Sequence, residues 1–257
     1  MKREHPVLKA RNLSIGYPNQ IIAEHINFDI YKGELTAVIG INGSGKSTLL
    51  KTVSGDLPKR SGEIILENQP LQSLSSREIA EKISIVLSNP VISQNLTVYE
   101  IVALGRQPYT NWLGLLSDKD KAVVSQALQL IEIEDLVDKR SDELSDGQLQ
   151  KVFIARAIAQ NTELILLDEP TNHLDLYHKA FVFKMLKKLT EETNKTIVFA
   201  THELNLALQL CDQLILIQDK KVIAGSPQEL ISNKKLQHIF PPDLIRFNEE
   251  TKTFQII

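Results

Sequence analysis

The chain has almost no cysteine. Its single thiol, Cys211, excludes an internal disulfide, fits a reducing compartment and is expected to be buried or indifferent. Aromatic residues are scarce, at 5%, so no stacking platform for single-stranded nucleic acid is expected. Neither sign of charge dominates: 29 basic and 32 acidic residues leave a net charge of -3, which gives no electrostatic footprint for nucleic acid. No stretch approaches about 18 continuous apolar residues. The start, Met1-Lys2-Arg3-Glu4-His5-Pro6, lacks the apolar run of a signal peptide. The expectation is a protein that is soluble, or held at a membrane only through partners. What is there is 42% hydrophobic residues in 257, enough for a sizeable core at the upper edge of single-domain size.

The most informative stretch is Gly40-Ile41-Asn42-Gly43-Ser44-Gly45-Lys46-Ser47-Thr48, which fits the Gly-x-x-x-x-Gly-Lys-Ser/Thr pattern in full. An apolar run, Leu35 to Ile39, precedes it, and Leu49, Leu50 and Val53 follow at helical spacing before Gly55. This is the strand, loop and helix context in which such a loop holds polyphosphate. Glycines at 40, 43 and 45 let successive N–H groups turn inward, and the helix start adds partial positive charge. Lys46 reaches the β- and γ-phosphates as a point charge, and the Ser47 hydroxyl is placed to ligate magnesium.

Ahead of that loop, Val7 to Ile30 reads as antiparallel strands broken by turns at Gly16-Tyr17-Pro18-Asn19 and Tyr31-Lys32-Gly33. Tyr17 either stacks on a nucleobase or simply fills a turn. A strand is expected over Gly62 to Leu66, a short helix over Ser76 to Glu81 and a buried strand over Ile83 to Leu87. Residues 96–160 then carry helical periodicity and almost no strand signal, which predicts an inserted helical lobe. Ser117 to Asp120 resembles a capping box, with Val123, Ala127, Leu130 and Ile131 on one face. A second helix starts at Leu144-Ser145-Asp146-Gly147-Gln148 and carries Val152, Ala155, Ile158 and Ala159.

The run Leu164 to Leu167 has the continuous apolar character of a strand covered on both faces, and it ends in Asp168-Glu169-Pro170. Thr196 to Ala200 repeats the pattern and delivers Thr201-His202-Glu203 to the same sheet edge, where open α/β sheets bind ligands. Lys184, Lys187 and Lys188 mark a solvated helix face. Leu214 to Gln218 reads as a strand, Ser226-Pro227-Gln228-Glu229 starts a helix, and the tail from Leu244 to Ile257 reads as a hairpin around Asn248-Glu249-Glu250. Asp168 is placed to bind magnesium opposite Ser47, Glu169 to hold the water that attacks a γ-phosphate, and His202 to orient that water. Taken singly, an Asp-Glu pair can merely end a strand and a lone histidine is commonly structural; their joint placement behind a phosphate loop favours chemistry. His173, Asp175 and His178 do not make a transition-metal site, because positions five apart do not share a helical face.

Across nearly the whole chain this set resembles the ATP-binding-cassette ATPases. Gly40 to Thr48 is similar to their Walker A, Leu164 to Glu169 to Walker B, Leu144 to Gln148 to the signature motif, Tyr17 to the A-loop, Leu174-Asp175 to the D-loop and His202 to the switch histidine. The resemblance implies an α/β fold with a mixed sheet, an N-terminal antiparallel β region and an inserted α-helical lobe. It places the nucleotide-binding core at 1–88 and 161–224, the lobe at 89–160 and a C-terminal helix and tail at 225–257. It implies an ATPase using ATP and Mg2+. It further implies a head-to-tail homodimer in which Ser145, Gly147, Gln148 and Asp175 of one copy serve the phosphates held by Lys46 of the other. Two residues depart from the pattern. Asp146 stands where glycine is usual and is expected to cap its helix. Ser88, followed by Asn89-Pro90, stands where the Q-loop glutamine is usual, with Gln94 as a substitute if the loop bends back.

The run Leu96 to Tyr109, above all Ala103-Leu104-Gly105-Arg106, resembles importers of iron-siderophore, haem and cobalamin complexes. In those importers a cleft beside the lobe receives a helix of the permease. The resemblance thus implies transmembrane permease subunits as partners, a substrate-binding protein indirectly, no nucleic acid, and a peripheral place on the cytoplasmic face of the inner membrane. A soluble ATPase that acts as an assembly factor or regulator without a permease is the alternative.

Overall fold

The computed structural model describes residues 6–88, 93–172, 174–241 and 243–257. The chain opens with β1 (Pro6–Tyr17) and β2 (Gln20–Tyr31), an antiparallel pair closed by a turn at Pro18-Asn19. It then enters β3 (Leu35–Ile39), passes the Gly40 loop into α1 (Lys46–Val53), and returns through β4 (Ser61–Leu66) and the short β5 (Gln69–Pro70). The first sheet has the order β2-β1-β4-β5. After α2 (Ser76–Lys82) and β6 (Ile83–Val86) come the helices of the lobe: α3 (Val98–Ala103), α4 (Asp118–Leu130) and α5 (Asp146–Ala159). The chain re-enters the second sheet with β7 (Leu164–Asp168), α6 (Leu176–Thr193), β8 (Thr196–Thr201), α7 (Leu204–Leu210), β9 (Gln213–Gln218) and β10 (Lys221–Gly225). It ends with α8 (Pro227–Ser232) and the hairpin β11 (Ile245–Asn248) and β12 (Thr253–Ile256).

The second sheet has the order β10-β9-β3-β8-β7-β6, parallel except for β10 at one edge. Every residue of β3, β7 and β8 is buried. Side chains alternate across a strand, so each of these strands feeds two cores. Val198 and Ala200 join Leu8, Ile30 and Leu49 on the side of the first sheet, whereas Ile197 and Phe199 join Phe183 and Leu186 on the helical side. Parallel register aligns Ile39 with Thr201 and Asp168 with Ala200. The ends of three strands therefore open side by side onto the loop at Gly40.

The lobe is tied to the sheets at defined points. Gln160 Nε2 donates to the carbonyls of Ala80 at 2.6 Å and Ile83 at 3.0 Å. Within the lobe, Arg106 donates to Asp120 Oδ1 at 2.9 Å and to the Ala159 carbonyl at 2.8 Å. Capping boxes begin α3 at Thr97, α4 at Ser117 and α5 at Ser145.

Several details differ from the sequence reading. The buried stripe of α4 is Val124, Ala127 and Leu128 leading to Ile131, with Val123 and Leu130 only half-buried, a shift of one residue in helical phase. Lys187 is not simply solvated: its ammonium pairs with Asp212 at 2.6 Å and faces Glu191 at 3.7 Å. Asp146 does not cap α5. Ser145 does, accepting from the Gln148 N–H at 3.3 Å, while Asp146 occupies the exposed first helical position. Leu87 is exposed and lies beyond β6. Asn89, Pro90 and His173 lie outside the described residues.

Candidate nucleotide-binding site

The turn from β3 into α1 is possible because of its glycines. Gly45, at φ 106°, occupies backbone space that a side chain rarely adopts, and a Cβ there would come within 2.3 Å of Ile22 Cγ2. A Cβ on Gly40 would meet Ser44 Oγ and the Ile217 carbonyl at 2.6 Å. Gly43 faces open space. The loop walls a cleft of about 860 Å³ that Lys46, Ser47, Thr48, Gly40, Asn42, Gly43 and Gly45 line together with Glu169, His202 and Tyr17. Ser44 lines an adjoining cavity of about 560 Å³ that shares Asn42 and Gly43 with the cleft.

Lys46 is 5% exposed, and its ammonium donates to the carbonyls of Gly40 at 3.1 Å and Ile41 at 3.3 Å. Burial lowers its pKa from the ordinary lysine value; the Glu169 carboxylate, 3.8 Å away, and Asp168 oppose that shift without cancelling it. Asp168 is buried at the end of β7, where its Oδ1 accepts from Ser47 Oγ at 2.8 Å. One residue on, Glu169 adopts φ 52°, held by its N–H to the Ala200 carbonyl at 3.2 Å and its carbonyl to the Asn172 N–H at 3.1 Å. This turn takes the Glu169 side chain off the strand axis and into the cleft. His202 Nε2 lies 3.2 Å from Glu203 Oε1, which also accepts from Lys179 Nζ at 2.6 Å. Glu203, fixed to α6 through Lys179, thus places a carboxylate beside the imidazole.

The cleft is not lined by Ser145, Gly147, Gln148, Asp175, Ser88 or Gln94. Ser145 and Gln148 cap α5 in the lobe, and Gly147 packs near Leu174 and His178. Asp175 caps α6, accepting from the His178 N–H at 2.8 Å, a bond that holds its carboxyl below the ordinary aspartate range. Ser88 is half-buried just past β6, and Gln94 is exposed in a turn. Ile22, Asn172, Leu204 and Phe240 also line the cleft, and sequence reasoning had not singled them out. Three hydrophobic residues and one asparagine in an ordinary strand, turns and a helix start carry no motif to mark them.

Two observations test whether polyphosphate and magnesium suit these residues. Ser44 Oγ is buried at the loop without a hydrogen-bond partner, and a phosphate oxygen is an acceptor of the required kind. Ser47 and Asp168 form a pair of hard oxygen donors of the type magnesium selects. The residues fit both groups.

A phosphate loop on the central strand of a parallel sheet, with carboxylates at the neighbouring strand ends, defines a P-loop nucleotide-binding protein. A sequence profile of the family described as ABC transporter matches residues 23–172, and the chain belongs to that family. It is 37% identical over 251 residues to an uncharacterised ABC transporter ATP-binding protein of Methanocaldococcus jannaschii, covering 97% of this chain and 87% of that one. It is 39% identical over 234 residues to the probable siderophore transport system ATP-binding protein YusV of Bacillus subtilis, covering 91% and 85%. Among solved structures it resembles an inward-facing ABC transporter described as metal-chelate type, with a TM-score of 0.80 at 31% identity, covering 92% and 89%. The chain is thus an ATP-binding cassette and an ATPase. Among the described residues no helix is long and apolar enough to cross a membrane.

Proposed function

We propose that this chain hydrolyses ATP as the energy-coupling subunit of an importer for an iron-siderophore, haem or cobalamin-type complex. The observation that carries the reading is the meeting of Lys46, the Ser47–Asp168 pair, Glu169 and His202 in one cleft. The loop amides and Lys46 bind and orient the triphosphate. Ser47 and Asp168 would hold magnesium, which would supply charge neutralisation to the triphosphate. Glu169 accepts the proton of the attacking water, and His202 orients that water toward the γ-phosphate; the products are ADP and phosphate.

The signature residues support a second copy. Ser145, Gly147 and Gln148 stand at the start of α5 and do not line the cleft of their own chain. A helix start directed at phosphate is useful only if another subunit brings the phosphate to it, so we infer a head-to-tail homodimer with Asp175 at the same junction. The groove between α2 and the lobe, lined by Arg77, Leu104, Pro108 and Arg156, suits a permease helix. The siderophore-transport relative supports an iron chelate as cargo, with a substrate-binding protein delivering it and this subunit on the cytoplasmic face of the membrane.

Replacing Glu169→Gln is expected to cut turnover by roughly 10²-fold or more while ATP still binds. Unchanged hydrolysis overturns the assignment of the base. Recovery of a polytopic permease with the tagged chain from gently solubilised membranes tests the importer reading; recovery with soluble proteins alone favours an assembly factor.

A further inference from the structure

We propose that Phe240, in the carboxy-terminal segment, contacts the nucleotide and walls the base-and-ribose end of the cleft. This rests on reading the cleft as an ATP site.

The cleft is lined by two kinds of side chain. Lys46, Ser47, Glu169 and His202 are charged or polar; Tyr17, Ile22, Leu204 and Phe240 are aromatic or aliphatic. A triphosphate suits the first, and the flat apolar faces of a base suit the second. Phe240 stands on the wall shared by the cleft and the adjoining cavity, as do Ile22 and the loop residues Ile41 to Gly43. Phe240 is half-buried and lines the cleft, so it is within reach of a ligand there.

The ring is also held in place. Phe254 meets it edge-on, with centroids 5.5 Å apart and planes at 88°, and Phe247 braces Phe254 at 5.2 Å. Phe254 is in turn clasped at its backbone: its N–H donates to Asn205 Oδ1 at 2.8 Å, and Asn205 Nδ2 donates to its carbonyl at 3.3 Å. Asn205 lies on α7, three positions after His202. Nearer to Phe240, Gln218 Nε2 donates to the His238 carbonyl, which ties the segment to the end of β9. The hairpin β11–β12 is thus a support that sets one aromatic ring at the nucleotide cleft, fastened to the helix that follows the switch histidine. A ring fixed in this way meets a base at low entropic cost.

The experiment compares equilibrium binding of ATP and of inorganic tripolyphosphate to the full chain and to Phe240→Ala and Phe240→Tyr. Loss of a base–aromatic contact is expected to weaken ATP about tenfold in Phe240→Ala, with tripolyphosphate unchanged and with Phe240→Tyr close to wild type. Unchanged tripolyphosphate binding also shows that the alanine variant is folded. The proposal is overturned if Phe240→Ala binds ATP as wild type does, or if it loses ATP and tripolyphosphate equally, the result of a merely structural ring. A wild-type chain that binds neither ligand overturns the nucleotide reading itself.

Discussion

Ser47 Oγ donates to Asp168 Oδ1 at 2.8 Å across a sequence separation of 121 residues. The bond joins the first turn of α1 to the end of β7 and satisfies a carboxylate that is 3% exposed. Ser47→Ala removes the donor and leaves a buried acceptor less satisfied, at a cost of about 1–3 kcal/mol. Urea unfolding without nucleotide measures it; an unshifted midpoint would show that Asp168 is satisfied by other means.

Lys46 is expected to link ATP binding to protons. Its folded-state pKa lies below the ordinary 10.5 because burial disfavours the ammonium. As pH rises through the lowered value, the free protein loses this proton while the unfolded chain still holds it, so stability rises with pH up to 10.5. Bound phosphates favour the ammonium, so ATP binding in that alkaline window takes up protons and weakens as pH rises. Calorimetry at alkaline pH in buffers of different ionisation enthalpy detects the uptake, and Lys46→Arg abolishes it. Identical binding heats for wild type in all buffers would sink the idea.

Much of the sheet was legible because β7 and β8 are covered on both faces and read as unbroken apolar runs. The edge strand β10 was missed. Its hairpin turns on Asp219 and Lys220, both with positive φ at 49° and 61°, without the glycine or asparagine that normally marks such a turn. The phosphate loop and the strand-end carboxylates announce themselves by local spacing. Together they already set Asp168 opposite Ser47, where the two side chains bond. The arrival of Phe240 at the cleft does not announce itself, since it depends on packing between segments far apart in sequence.

Glu169 carries backbone strain that a paired substitution isolates. At φ 52° a residue with a Cβ costs about 1 kcal/mol more than glycine. Glu169→Gly and Glu169→Ala lose the same carboxylate, so their difference reports the backbone alone. The glycine variant is expected to unfold at higher denaturant, by about 1 kcal/mol, with both variants depressed in turnover by roughly 10²-fold. Equal stabilities would place the strain elsewhere.

The run Ala103-Leu104-Gly105-Arg106 has a structural basis in the lobe. A Cβ on Gly105 would come within 2.3 Å of the Arg156 carbonyl, so Gly105→Ala must push the turn off α5. That approach carries Arg106 inward, where its guanidinium sits 4.1 Å from the Tyr109 ring centroid and bonds Asp120 and the Ala159 carbonyl. Hydrogen bonds from Ser117, and then Arg106, keep the Asp120 carboxyl below the ordinary aspartate range. A depressed folded pKa means that the stabilisation is present above the unfolded value and is lost as pH falls through the folded one. Arg106→Met is expected to cost about 3 kcal/mol at neutral pH, because it strands a buried carboxylate, and to flatten the loss of stability in acid. Denaturant unfolding at pH 7 and at progressively lower pH provides both readings. A variant as stable as wild type at pH 7, with an unchanged acid slope, would show that Ser117 alone sustains Asp120.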